Sequence, residues 1–487
     1  MKNFIQLDSY PQASLNCEDV WSKPIIGGVG CNLFLGRKGN LPPFSNTKHW
    51  QKIREYLIDL KMGMIRVGFL PNSAPDCAEV ALRISPFNEE TKTFDWDHDY
   101  FKIVKWLDDL SDELNFPIMI DPWWVPECYM VKSEVTRGAP VDSEVYANEF
   151  IVPFVNHIIN TLKCKHVTYL GLLNEPIWHK DDRDLTNFAV PEGEDQLVWL
   201  TRMYESVRKA LDTNGFNDID VLGPSALCNY QFPPADFLAS GVNPIPYLGA
   251  MDHHYYLYYN DSVPNHVEDF FSSHEMIDGS VRRWTDFCKR INKPFMITEM
   301  GSFAYGRLFW GEKDMTGPST HTCAISDAQF ILRSLAYGTQ AFLRWTFSVP
   351  EHYDGKWSLV EWDEEGVHKS THIYPAYKLL MNVIRPGTQY KRVHIGISAG
   401  QVQSIFAIAL KTEGREHILI MNTKPGINSD IIFGQGPWVG KTFERTVVDE
   451  VRKLENLPPI SFKHTEGQGT DMMLTPYSIT LLSEITN

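Results

Sequence analysis

Two glutamates close two apolar runs in this 487-residue chain. The first run is Val167-Thr168-Tyr169-Leu170-Gly171-Leu172-Leu173-Asn174-Glu175-Pro176. Its β-branched, aromatic and leucine content suits a parallel strand covered on both faces. Pro176 stops it, because proline donates nothing to a ladder and restricts the residue before it. The second run, Pro294-Phe295-Met296-Ile297-Thr298-Glu299-Met300-Gly301, also ends on a glutamate. Carboxylates at two strand ends are what glycoside hydrolysis needs. One donates a proton to the leaving oxygen and the other acts from the far side of the sugar ring.

The elements that must hold these residues alternate regularly. Strands are expected at Ile25–Gly30, Met64–Phe69, Pro117–Trp124, Val167–Glu175, Ile219–Ser225, Gly249–Tyr256, Pro294–Gly301 and Ala341–Phe347. Helical periodicity precedes nearly every one, with segments near Lys48–Leu60, Phe101–Leu114, Glu144–Lys163, Gln196–Thr213, Gly279–Asn292 and Ala324–Gly338. Eight such units imply an α/β fold, a (β/α)8 TIM barrel, whose active site lies at the C-terminal ends of the strands. Gly27-Gly28-Val29-Gly30 does not extend to a dinucleotide-binding G-x-G-x-x-G, which argues against an open nucleotide-binding sheet. After a last helix at Pro375–Val383 the texture changes at Arg385-Pro386-Gly387. Short alternating segments follow to the end of the chain, separated by Gly, Pro and Asn, and read as a C-terminal antiparallel β-sandwich. The division expected is an N-terminal segment 1–24, a barrel 25–384 and a sandwich 385–487.

Composition narrows the function classes. A net charge of −16, with no run of Lys or Arg against it, argues against nucleic acid and anionic membrane as partners. No apolar run reaches transmembrane length, and the N-terminus carries no long apolar segment of the signal-peptide kind. Eight cysteines without a C-x-x-C pair look like thiols of a reducing, cytoplasmic compartment. The 13% aromatic content fits a carbohydrate partner, whose sugar faces stack on flat rings, although most such rings serve as core.

Counted from Ile25, Glu175 ends the fourth strand and Glu299 the seventh, and here the chain resembles clan A of the retaining glycoside hydrolases. Asn174-Glu175-Pro176 is similar to that clan's Asn–acid/base pair, and Thr298-Glu299-Met300-Gly301 to its nucleophile segment. Arg66 resembles the arginine set beside the nucleophile, and His254-Tyr255-Tyr256 the clan's His-x-Tyr. Within the clan, Asp121-Pro122-Trp123-Trp124-Val125-Pro126-Glu127-Cys128-Tyr129-Met130 resembles a family 30 segment, P-W-S-P-P-x-W-M, from which it departs after Trp123. Asn382-Val383-Ile384-Arg385-Pro386-Gly387 is similar to that family's helix end, and Thr475-Pro476-Tyr477-Ser478-Ile479-Thr480 to its closing strand. The glutamate segments are equally similar to families 5 and 39. The resemblance implies a retaining β-glycosidase without metal or cofactor, and a strand from residues 1–24 added to the sandwich.

On that reading Glu175 carries a proton at rest, and Glu299 stays ionised beside Arg66 and a tyrosine hydroxyl. Asn174 bonds the sugar 2-hydroxyl. His254 and Tyr256 are two apart and share a strand face, with His253 and Tyr255 as the opposite choice of face. Trp123 and Trp345 are candidate sugar platforms or simply barrel-end packing, and Arg66 alone reads equally as a buried salt-bridge partner. Trp178 and Trp310, in the loops after the two glutamate strands, are further candidates for the same platform role. A catalytically weak carbohydrate-binding protein is the alternative, which both glutamates oppose. A metal-dependent hydrolase needs a His-x-His on the first strand, which is absent. Sugar, linkage and oligomeric state are not legible.

Overall fold

A computed structural model of the chain describes residues 15–17, 20–34, 47–69, 85–132, 138–176, 189–227, 234–238, 243–257, 267–302, 320–350, 358–363, 368–395, 405–423, 429–433, 437–462 and 470–486. Trp178 and Trp310 lie outside them.

A short first strand, β1 (Leu15–Cys17), precedes eight parallel strands that close into a barrel. These are β2 (Gly28–Phe34), β3 (Ile65–Gly68), β4 (Ile118–Asp121), β5 (Val167–Leu170), β6 (Asp220–Leu227), β7 (Ala250–Leu257), β8 (Phe295–Ser302) and β9 (Ala341–Arg344). Each pairs with its neighbours in sequence order, and β9 returns to β2. The floor of the barrel is filled by Met64, just before β3, by Met119, Tyr169, Leu222, Ala250 and Met296 from the next five strands, and by Ala341 and Leu343 from β9. Alternate residues of the same strands pack outward on the helices, as a period of two requires.

The helices are α1 (Thr47–Leu60), α2 (Asp99–Leu114), α3 (143–161, wound partly as π turns), α4 (Gln196–Thr213), α5 (Val267–Ile291), α6 (Thr320–Tyr337) and α7 (Tyr374–Val383). In α1, Trp50, Ile53, Leu57 and Leu60 form the buried stripe. The start of α4 is fixed by Asp195, whose side chain accepts from the Leu197 and Val198 N–H groups.

The C-terminal part is an antiparallel, sandwich-like domain. Its strands are β10 (Gln389–Ile395), β11 (Ile405–Thr412), β12 (Arg415–Asn422), β13 (Ser429–Phe433), β14 (Thr442–Val448), β15 (Lys453–Ser461), β16 (Thr470–Leu474) and β17 (Ser478–Glu484). Seven strands form one sheet in the order β1-β10-β11-β12-β17-β14-β15, and β13 pairs with β16. Along β11, Ile408 and Leu410 join the core that continues into the barrel helices, while Ile405, Ala407 and Ala409 face a second core with Trp438, Phe443 and Phe462. The sheet is therefore apolar on both faces and one face is shared with the barrel. Leu15–Cys17 pairs antiparallel with Val393–Ile395, so this segment ahead of the barrel lies in the C-terminal sheet.

Several element limits differ from the sequence expectation. The first barrel strand runs Gly28–Phe34 rather than Ile25–Gly30. Its glycines mark a close approach rather than a strand end, since a Cβ on Gly30 would stand 1.7 Å from the Met64 carbonyl oxygen. The last barrel strand stops at Arg344, and Ser348–Pro350 joins Val360–Trp362 and His368–Ser370 in a small separate sheet.

Candidate active site

The two glutamates reach the barrel mouth by different routes. Strand β5 ends at Leu170, well short of Glu175. Gly171 N–H still bonds the Ile120 carbonyl at 3.0 Å, but a Cβ at Gly171 would lie 2.3 Å from Asp121 Oδ2. Beyond it the chain is strung between neighbouring strand ends. Asn174 N–H donates to the Trp123 carbonyl at 2.7 Å, and Glu175 N–H donates to the Ser225 carbonyl at 3.0 Å. Glu175 itself has φ 51°, left-handed backbone that costs a non-glycine residue about 1–2 kcal/mol, so these bonds must hold it.

Glu299 lies within β8. Met296 faces the barrel floor and Thr298 also points inward, so plain alternation would send Glu299 outward. The register of β8 slips by one residue between Ile297 and Glu299 against β7, and between Ile297 and Met300 against β9. This bulge turns Glu299 back into the barrel, as bulges beside functional sites commonly do.

The structure brings the buried Arg66, Asn174, Glu175, His254 and Glu299 together with the half-buried Tyr256 in one cluster. Arg66 Nη1 donates to Glu299 Oε1, and Tyr256 Oη donates to Glu299 Oε2 at 2.5 Å. His254 Nδ1 is 3.0 Å from Glu175 Oε1 and 3.6 Å from Glu299 Oε2. A carboxylate oxygen of each glutamate and a ring nitrogen of His254 all lie within 4.8 Å of one another. Arg66 Nη2 donates to Asn174 Oδ1 at 3.2 Å, which orients the amide. Trp123 and Trp345 stack at 5.4 Å with their planes 28° apart, and the Arg66 guanidinium sits 5.5 Å from the Trp123 ring centre. His254 and Tyr256 face the glutamates. Their neighbours face away: His253 packs on Trp284 at 4.1 Å, and Tyr255 Oη pairs with Ser280 Oγ at 3.1 Å.

Three supporting residues escaped the sequence reading. Asp121 accepts from Arg66 Nε at 2.9 Å and from Trp123 N–H at 2.7 Å, fixing the arginine and the tryptophan together. Asn32 accepts from Arg66 Nη1 at 3.3 Å and donates to the Thr298 carbonyl at 3.0 Å. It was hidden because the first strand was placed two residues too early to include it. Asp252, two residues before His254 and on the same strand face, bonds both neighbouring strands. A buried acid at period two from a site residue was the signal available.

The electrostatics follow from burial against paired charges. Burial alone pushes the His254 pKa down, but Glu299 and the hydrogen bond to Glu175 outweigh it and the net shift is upward. Arg66 is likewise opposed by burial and held more firmly protonated by Asp121 and Glu299. Burial, then Glu299 and Glu175, push the Tyr256 hydroxyl well above its ordinary value, so it remains a donor.

Among the described residues, Glu175, His254 and Glu299 have the spacing of a metal-binding trio. They suit a divalent ion poorly, because Arg66 and Tyr256 already occupy both oxygens of Glu299. No described helix is long and apolar enough to cross a membrane.

No protein-family model matches the sequence, and no curated protein matches it. Solved structures do match. A family 30 subfamily 8 xylanase from Clostridium acetobutylicum superposes with a TM-score of 0.63 at 12% identity, covering 98% of this chain and 100% of its own. A conserved exported protein from Bacteroides fragilis gives 0.66 at 13% identity, covering 96% and 100%. The chain shares the fold of the family 30 xylanase over nearly its whole length. A family 51 α-L-arabinofuranosidase from Bifidobacterium longum is similar in the same way, with a TM-score of 0.60 at 11% identity over 98% and 100% of the two chains.

Proposed function

We propose that this chain is a retaining β-glycosidase acting on β-linked oligo- or polysaccharides, or on glycoconjugates, by double displacement. The observation that carries the reading is the separation of the two glutamates, with carboxylate oxygens within 4.8 Å of each other. That spacing is nearer the roughly 5–5.5 Å of retaining enzymes than the about 6.5–9.5 Å of inverting ones. The shared fold with a xylanase supports a carbohydrate substrate.

In this mechanism Glu175 gives its proton to the leaving oxygen while Glu299 attacks the anomeric carbon. The glycosidic C–O bond breaks as the Glu299 ester forms. Glu175, now a carboxylate, takes a proton from water, whose oxygen displaces Glu299 and releases the sugar. Arg66 and Tyr256 fix the Glu299 carboxylate for attack, and His254 orients Glu175. Asn174, its oxygen held by Arg66, presents its NH2 to the 2-hydroxyl. Trp123 and Trp345 wall the sugar site. No cofactor takes part.

A 2-deoxy-2-fluoro β-glycoside with a good leaving group tests this. The fluorine slows the second step, so a covalent adduct should accumulate on the peptide containing Glu299. Turnover without any adduct, or an adduct elsewhere, defeats the reading. We also propose a reducing, cytoplasmic setting, supported by the unbridged Cys31, Cys128, Cys164, Cys288 and Cys323. Thiol-reactive labelling of the protein isolated from its source checks that.

A further inference from the structure

We propose that Asp252 is a positioning residue which sets the distance between the two glutamates by holding one extra residue in each strand beside its own. The proposal rests on the glycosidase reading for its kinetic consequences, but its structural content stands separately.

Strand β7 is regular, yet both of its neighbours gain a residue, at successive positions along it. Against β6, Pro224 pairs with Asp252 and Ala226 with His253, so Ser225 is extra. Against β8, Ile297 pairs with His253 and Glu299 with His254, so Thr298 is extra. Asp252 is fully buried, and its carboxylate accepts from these two residues. Ser225 N–H donates to Oδ1 at 3.0 Å, Ser225 Oγ to Oδ2 at 2.8 Å, and Thr298 Oγ1 to Oδ2 at 2.6 Å.

Each extra residue controls one glutamate. The Ser225 carbonyl accepts the Glu175 N–H, and both residues have left-handed backbone, at φ 48° and 51°. Thr298 immediately precedes Glu299, and its insertion turns that side chain inward. Its carbonyl is tied from the other side by Asn32, which also bonds Arg66. One carboxylate therefore links the backbone turn under the proton donor to the bulge under the nucleophile. None of these bonds reaches either glutamate carboxylate, so Asp252 acts on the reaction only through geometry.

The sequence shows why aspartate suits this place. The Ser225 hydroxyl, its N–H and the Thr298 hydroxyl all converge on one buried point, and a short side chain with two acceptor oxygens satisfies all three. Asparagine has one acceptor oxygen and an NH2, so it can keep the Ser225 N–H bond while the hydroxyls turn to accept. Alanine keeps none.

The test compares the full-length chain with Asp252→Ala, Asp252→Asn, Ser225→Ala and Thr298→Val by crystal structure and by kinetics on aryl β-glycosides of good and poor leaving ability. Asp252→Ala should displace Glu299 or Glu175 by more than about 0.5 Å, the tolerance of a preorganised site. It should lower kcat about 10²-fold with KM little changed, as misplacement of reacting groups does. Asp252→Asn should recover most of the rate. Thr298→Val should slow good and poor leaving groups alike, through Glu299. Ser225→Ala should slow chiefly the poor ones, through Glu175. If Asp252→Ala does not fold, the two single-bond variants carry the same structural comparison.

Both glutamates unmoved in these variants would overturn the proposal, as would equal losses from Asp252→Ala and Asp252→Asn. Displaced glutamates in a chain whose wild type shows no glycosidase activity would defeat the glycosidase reading and keep the positioning one. An active enzyme with unmoved glutamates does the reverse.

Discussion

His254 Nδ1 lies 3.0 Å from Glu175 Oε1, and the ring is fully buried. Glu299 Oε2 is 3.6 Å from the same nitrogen, so one imidazole edge faces both carboxylates. This contact lets a single proton be shared between the histidine and the proposed acid, and it gives the site a pH dependence of its own.

The groups facing His254 are Glu299 and Glu175, which raise its pKa, and Arg66, which with burial lowers it; the net shift is upward. Relative to an unfolded histidine titrating near about 6.5, protonated His254 therefore favours the folded chain. Its contribution is full below that value and is lost as pH rises through the raised one. His254→Phe should accordingly cost more stability at about pH 5.5 than at about pH 9. Urea unfolding at both pH values reads the difference, and a cost independent of pH rejects the linkage.

Glu175→Gln removes the proton donor while keeping the side chain's size. Substrates with poor leaving groups should lose about 10²–10⁴-fold, the usual range of general acid catalysis, while activated aryl glycosides suffer far less. Added azide should restore turnover as a β-azide, because it attacks the Glu299 ester without needing a base. Equal losses on both substrate classes, or an α-azide, reject Glu175 as the acid.

Gly171 has no side chain because Asp121 passes through that space. Gly171→Ala would put a Cβ 2.3 Å from Asp121 Oδ2, the oxygen that holds Arg66. Overpacking of this kind costs about 1–3 kcal/mol. The Arg66 guanidinium should shift with Asp121, so activity should fall alongside stability. Thermal unfolding and kcat measured on one preparation check both, and a variant with wild-type values in each shows that the strand spacing gives way instead.

We propose that residues 1–24 and 385–487 form one discontinuous domain around the barrel 25–384. The pairing of Leu15–Cys17 with β10 supports it, as do Ile408, Leu410, Leu419 and Met421, which share a core with the barrel helices. Deleting 386–487 should uncover that apolar face and yield insoluble protein. A soluble, fully active truncation would contradict the division.

Strand order and helix positions were legible because hydrophobic period reports the packing of regular elements directly. Strand ends were not. Chemistry at the barrel mouth requires the chain to break its own period, with left-handed backbone at Glu175 and Ser225 and an extra residue at Thr298. A buried apolar run such as Leu172-Leu173 looks the same whether it is in the ladder or just beyond it. In the C-terminal sheet, Pro458 and Pro459 lie within β15 and interrupt the pattern by which a strand is read. That strand lies at the sheet edge, where missing N–H donors are tolerated. Asp121 and Asp252 were harder to read as site residues because Arg66, Ser225 and Thr298, which they bond, come from other strands, and only the period-two spacing to Trp123 and His254 is local.

Glu299 carries the sharpest prediction, since its role cannot be shared. As nucleophile it forms a glycosyl ester with inversion, and water then enters from the same face with a second inversion, giving net retention. Glu299→Ala should lower turnover by roughly 10⁴-fold or more. Arg66 then loses one of its two buried carboxylate partners while Asp121 remains. Removing one member of a buried ionic network costs about 3–5 kcal/mol, so the melting midpoint should fall too. Formate or azide entering the vacated space should restore both: charge beside Arg66, and attack on an activated β-glycoside to give an α-configured product. Proton NMR of the wild-type reaction tests the underlying mechanism. A first-formed β-anomer from a β-glycoside is expected. A first-formed α-anomer means a single displacement by water with Glu299 as base, and the retaining assignment fails.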